Sequence, residues 1–233
     1  MKPPFRLKIC GVRTEGDIRA VASAGGDAVG LNFYPKSVRC VEPVVAGELN
    51  SLARQLGVLG IGLFVNERLD QVLEVAELAE LTTVQLHGDE AVELAVRLRD
   101  HGLGVLRGVR LPTGPIEPEQ IETLVQPWEE AGCWILLDAD AGGAFGGAGQ
   151  RLDWASVSRW RRWRSEATGV EPMFALAGGL TIASVAQAIE CSGASAVDVA
   201  SGVEQERGVK DERLIREFCT AGGKYLRGSG SAP

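Results

Sequence analysis

Leu7-Lys8-Ile9-Cys10-Gly11 is an apolar run that ends in a cysteine followed at once by glycine. Read as a strand entering a turn, it puts a thiol at the strand's carboxyl end, where open α/β sheets and α/β barrels place their chemistry. A thiol there serves as proton acceptor or nucleophile if its surroundings favour the thiolate. The plainer alternative is a buried cysteine packed as a small hydrophobe.

Outward from this strand, short β-like runs alternate with longer helical patterns. Strands are predicted at 7–10, 28–33, 59–64, 83–86, 104–109, 134–138, 173–177 and 196–199. Helices are predicted at 15–24, 43–55, 69–80, 90–100, 117–125, 154–165, 182–190 and 212–219. Each strand–helix unit takes roughly 28 residues, which predicts an α/β chain folded as a single (β/α)₈ TIM barrel. The strands show no period-2 alternation, as expected when parallel strands are buried on both faces. The alternative, an open doubly wound sheet, would be expected to show GxGxxG after its first strand. That turn reads Cys10-Gly11-Val12-Arg13-Thr14 instead. The barrel is expected to occupy residues 1–222, with 223–233 a flexible tail outside it.

With 45% apolar and 24% charged residues, the 233-residue chain has the composition of a soluble globular protein. Its net charge of −7 and the lack of a Lys/Arg face argue against a nucleic-acid partner. The densest basic stretch, Arg159-Trp160-Arg161-Arg162-Trp163-Arg164, reads as a helix with an aromatic packing side and a solvated basic side. Five cysteines with no CxxC pair point to reduced thiols and a cytoplasmic location. The amino terminus lacks the apolar core of a signal peptide, and the longest apolar run, 56–65, is too short for a bilayer, so no membrane partner is expected.

If the strands close a barrel, their carboxyl ends share one mouth. Collected there are Cys10, the segment 32–39, Gln85 and His87, Arg107, Asp138, Gly178-Gly179 and Ser201-Gly202. This is an acid–base inventory. The two histidines have neither HxH nor HExxH spacing, so no metal site is predicted. Gly178-Gly179 after the seventh strand and Ser201-Gly202 after the eighth suit a phosphate held by backbone N–H groups, though a glycine pair can also simply cap a turn. Asp138 closes the apolar strand Cys133-Trp134-Ile135-Leu136-Leu137 and is the candidate acid. The glycine-rich stretch 141–149 behind it reads as a lid, with a plain connector the alternative.

Seven segments together resemble the phosphoribosylanthranilate isomerase family. They are Lys8-Ile9-Cys10-Gly11, Phe33-Tyr34-Pro35-Lys36-Ser37-x-Arg39, Val84-Gln85-Leu86-His87-Gly88-Asp89-Glu90, Leu136-Leu137-Asp138, Gly146-Gly147-x-Gly149-x-x-x-Asp153-Trp154, Ala177-Gly178-Gly179-Leu180 and Val197-Asp198-Val199-x-Ser201-Gly202-Val203-Glu204. They span residues 6–220 in the family's order. The resemblance implies a (β/α)₈ barrel of tryptophan biosynthesis that uses no cofactor. Its substrate is a small phosphosugar, and it is a monomer or a homodimer. By resemblance, Asp138 is the general acid of an Amadori rearrangement, Cys10 the general base, and Arg39 the partner of the anthranilate carboxylate. Gln85 and His87 match the family's fourth-strand motif, and Gly178, Gly179, Ser201 and Gly202 its phosphate loops. The rivals are another phosphosugar barrel and a non-catalytic phosphosugar-binding barrel. Asn32, Val12-Arg13, Val38 and Cys40 depart from the commonest family residues.

Overall fold

The computed structural model describes residues 1–140 and 151–226. Among them β1 (Leu7–Cys10), β2 (Ala28–Asn32), β3 (Leu59–Phe64), β4 (Thr83–Leu86), β5 (Gly104–Leu111), β6 (Trp134–Ala139), β7 (Ala175–Leu176) and β8 (Ala196–Val199) form a closed parallel barrel in chain order. β8 closes it on β1, with Leu7, Lys8 and Ile9 opposite Val197, Asp198 and Val199. The expected barrel is thus the observed fold. The helices are α1 (Glu15–Ser23), α2 (Pro43–Gln55), α3 (Leu69–Leu78), α4 (Val92–Asp100), α5 (Pro118–Glu130), α6 (Trp154–Thr168), α7 (Val185–Ser192) and α8 (Glu212–Leu226).

Local chemistry starts these helices where the sequence says. Thr14 caps α1 by accepting from the Asp17 N–H at 3.1 Å, and the Asp17 carboxylate accepts from the Thr14 N–H at 3.1 Å. Pro43 opens α2 with a preset φ. Alternate strand residues such as Ile9, Val29, Leu86 and Leu137 pack in one layer with helix residues such as Val21, Val125 and Phe218. The remaining strand positions meet in a second cluster of Phe5, Ala28, Ile61, Leu106, Leu136, Ala175 and Ala196. Burying each large aliphatic side chain contributes about 1.5–3 kcal/mol.

The structure corrects several boundaries. A short antiparallel hairpin, β9 (Glu204–Glu206) with β10 (Val209–Lys210), follows β8 and has no alternation long enough to announce it. The barrel does not stop at 222. α8 runs on to Leu226, with Gly222 packed against Leu7, Val185 and Val197 and Leu226 buried. Residues 223–226 therefore belong to the barrel, and the rest of the expected tail lies outside the described residues. In α6, Trp160 is buried as expected and its Nε1–H donates to Glu122 at 2.8 Å. The basic side is less solvated than expected, because Arg164 reaches α5 and pairs with Glu129 at 2.5 Å.

Candidate active site

The carboxyl ends of the strands enclose a cavity of about 270 Å³. Cys10, Arg39, Gln85, His87, Asp138, Gly178, Gly179 and Ser201 all line it; Gly202 does not. Strand alternation accounts for the gathering, since Lys8 and Cys10, and likewise Gln85 and His87, are two residues apart and share a face.

On one wall, His87 Nε2 stands 3.0 Å from Asp138 Oδ2. Its Nδ1 is 3.1 Å from the Gln85 amide nitrogen. With that amide donating to Nδ1, the ring proton sits on Nε2 and faces the carboxylate. Asp138 Oδ1 accepts from the Ala139 N–H at 2.8 Å, so both oxygens are held. The buried Gln85 Oε1 has no partner among the described residues.

On the other wall, Lys8 is wholly buried and donates to Asp198 Oδ1 at 3.0 Å. Cys10 follows two residues later on the same strand, its sulfur close enough for Lys8 to be the foremost charge acting on it. Burial pushes the Cys10 thiol up; Lys8 is the foremost influence opposing this, with Lys210 and Arg39 beside it and Asp198 against it. Burial alone would lower Lys8, but Asp198 and Cys10 outweigh it and hold Lys8 above its ordinary value.

Arg39 is clamped. Its Nε and Nη2 donate to the two oxygens of Glu204 at 2.6 and 2.8 Å. Lys210 donates to Glu204 Oε1 at 2.9 Å and to the Ala200 carbonyl at 2.8 Å, and the Gly208 N–H reaches Glu204 Oε2 at 3.1 Å. Burial would raise Glu204, yet these donors, Arg39 foremost, bring it down to about 2. The side edge of the Arg39 fork is therefore taken, and among the described residues its Nη1 has no hydrogen-bond partner.

Gly178 adopts φ +83, and a Cβ there would meet the Ala139 nitrogen at 2.8 Å and Asp138 Oδ1 at 3.0 Å. Only glycine brings this loop so close to the carboxylate. Among the described residues, the N–H groups of Gly178 and Gly179 take no backbone partner. Gly202 is not among the residues lining the cavity, and a Cβ there would collide with the Leu180 carbonyl, so glycine lets the two loops pack together.

Arg107 is also placed otherwise than expected. β5 runs on to Leu111, so Arg107 lies mid-strand, stacks 4.2 Å over Trp128 of α5 and pairs with Glu90 at 2.5 Å. It does not line the cavity. The stretch 141–149, expected as a lid, lies outside the described residues. Among the described residues no group of three or more His, Cys, Asp or Glu is placed to hold a metal ion, and no helix is long and apolar enough to cross a membrane. Sequence reading missed Asp198, Arg207 and the Glu204–Lys210 pair. Charged residues inside the apolar strands at Lys8 and Asp198 were the available signal. The departure at Asn32 has a local use: its side chain accepts from the Tyr34 N–H at 2.8 Å and donates to Ser37 at 3.3 Å, shaping the loop that carries Arg39.

Residues 7–221 match the family described as N-(5'phosphoribosyl)anthranilate (PRA) isomerase. The N-(5'-phosphoribosyl)anthranilate isomerase of Myxococcus xanthus is 39% identical over 216 residues, covering 93% of this chain and 95% of the relative. The crystal structure of phosphoribosyl anthranilate isomerase from Thermotoga maritima aligns with a TM-score of 0.80 at 32% identity, covering 94% of this chain and 99% of that one. A phosphoribosyl anthranilate isomerase in complex with reduced 1-(o-carboxyphenylamino)-1-deoxyribulose 5-phosphate aligns with a TM-score of 0.77 at 31% identity, over 94% of this chain and 99% of that one.

Proposed function

The chain belongs to the N-(5'-phosphoribosyl)anthranilate isomerase family, and from that membership we propose that it converts N-(5'-phosphoribosyl)anthranilate to 1-(2-carboxyphenylamino)-1-deoxyribulose 5-phosphate in tryptophan biosynthesis, with Asp138 as general acid and Cys10 as general base. The observation that carries the residue roles is that a carboxyl group and a thiol from different strands face one cavity, beside two glycines whose N–H groups take no backbone partner among the described residues.

Protonated Asp138 gives its proton to the furanose ring oxygen as the C1′–O bond breaks, and the anthranilate nitrogen's lone pair forms the C1′=N bond of a Schiff base. The positive nitrogen acidifies C2′, the Cys10 thiolate takes that proton, and the electron pair becomes the C1′=C2′ bond of an enolamine. C1′ then gains a proton and the C2′ hydroxyl loses one, leaving the ketone. Every step moves a proton, and none calls for a metal or a redox group.

His87 and Gln85 serve the acid. When Asp138 is ionised, Nε2–H donates to it; when Asp138 carries the proton, it donates to Nε2, and Nδ1–H turns to the unpartnered Gln85 Oε1 once the amide rotates. The phosphate is assigned to the N–H groups of Gly178 and Gly179 with Ser201, and the ring carboxylate to the free end of Arg39. The test is purified protein mixed with freshly generated phosphoribosylanthranilate, following the loss of anthranilate-type fluorescence. Conversion is expected; binding of a product analogue without conversion would instead make this a non-catalytic phosphosugar barrel.

A further inference from the structure

Lys8 is an unusual residue to find inside a barrel: wholly buried, two positions below Cys10 on β1, opposite Asp198 on β8. Its Nζ lies 3.0 Å from Asp198 Oδ1, and the i, i+2 spacing on β1 puts it on the same inward face as the Cys10 sulfur. Three cations face Cys10 from the elements around it: Lys8 of β1, Lys210 of β10 and Arg39 of the β2–α2 loop. Two carboxylates stand among them, Asp198 of β8 beside Lys8 and Glu204 of β9 between Arg39 and Lys210. Across the cavity are His87 and Asp138, which pair with each other.

We infer that Lys8 is a positioning residue for the proton acceptor: its ammonium holds the Cys10 thiolate in place, and Asp198 aims that ammonium within the barrel interior while competing with the sulfur for it. The charge count supports this. On the wall that carries Cys10, a neutral thiol leaves three cations, Lys8, Lys210 and Arg39, against two carboxylates, Asp198 and Glu204, which is costly away from water. Loss of the thiol proton supplies the missing anion at the sulfur two residues from Lys8 on the same face of β1. Burial raises the thiol and outweighs its neighbours, and Lys8 is the foremost of those that oppose it. A second consequence concerns the substrate. A carboxylate arriving at Arg39 cancels the spare cation, which makes the thiolate more eager for a proton when C2′–H is presented.

The inference rests on Cys10 being the base, but its test needs no turnover. The rate of iodoacetamide alkylation of Cys10 is followed against pH on the free enzyme, peptide by peptide, because Cys40 and Cys191 are also accessible. The midpoint reports the thiol. Lys8→Met removes the cation and leaves Asp198, so the midpoint is expected to rise by about one to three pH units, the range for a neighbouring opposite charge. Asp198→Asn leaves Lys8 facing the sulfur alone, and the midpoint is expected to fall below wild type. The double variant Lys8→Met/Asp198→Asn leaves no orphaned charge and is expected between wild type and Lys8→Met. If Lys8→Met alone does not fold, the double variant and Asp198→Asn still carry the opposite signs. An unmoved midpoint in the double variant, or single variants shifting the same way, would overturn the inference. A wild-type protein without isomerase activity would sink the functional reading and leave this titration standing.

Discussion

Arg39 stands between two claims on its guanidinium, one met within the fold and one left for the ligand. Glu204 takes the Nε–Nη2 edge, which fixes the plane of the group and leaves its Nη1 end unclaimed among the described residues. Arg39→Ala is expected to lower kcat/KM by about 1.5–3 kcal/mol, the range for a hydrogen bond to a charged group. Arg39→Lys should recover only part of it, since an ammonium cannot satisfy Glu204 and a carboxylate in one plane. The check is affinity for product analogues with and without the aromatic carboxylate; equal losses for both in Arg39→Ala would separate Arg39 from the carboxylate. Cys10 and Asp138 were legible because each ends an apolar strand. Arg107 was misread because its strand continues for four more residues and the alternation turns it outward. The His87–Asp138 pair was out of reach of sequence alone, since only closure of the barrel brings β4 and β6 side chains within 3.0 Å.

The β9–β10 hairpin is the least legible element and one of the most consequential. Its strands are three and two residues long, too short for a periodic signal, yet it carries Glu204 and Lys210 up against Arg39 of the cavity wall. Glu204 is held at about 2, below the ordinary carboxylate value, so its ion pairs stabilise the fold above about pH 4.5 and lose that effect as pH falls toward 2. Glu204→Gln is therefore expected to lower stability by on the order of 3 kcal/mol near neutrality. The gap to wild type should narrow across that acid window in urea melts run at several pH values. A gap that does not change between pH 6 and pH 3 would count against the clamp. Long elements were easier: α2 and β3 begin and end where expected, while α5, α6 and α8 run three to seven residues further than their apolar periodicity shows. Helix ends drift this way because their last turns are held by packing, as Trp128 in α5 is by Arg107.

The barrel as a whole was written in the alternation of strand and helix, because eight such units with doubly buried strands admit few other closures. Its carboxyl boundary was not, since Gly222-Gly223 reads as a break, whereas in the structure the pair lets α8 lie against β1 and β8. A chain ending after Arg227 is expected to keep the wild-type Tm, and one ending after Cys219 to lose at least about 5 °C, from the uncovered Leu7, Val185 and Val197. Calorimetry of the two truncations distinguishes these outcomes. One thiol, Cys10, and one carboxyl group, Asp138, line a single cavity of the barrel. The most direct test is the steady-state rearrangement of phosphoribosylanthranilate by wild type, Cys10→Ala and Asp138→Asn, with product-analogue affinity measured in parallel. Each variant is expected to lower kcat by at least ~10²-fold while binding the analogue nearly as wild type does. Near-normal turnover in either variant would contradict the assignment of acid and base.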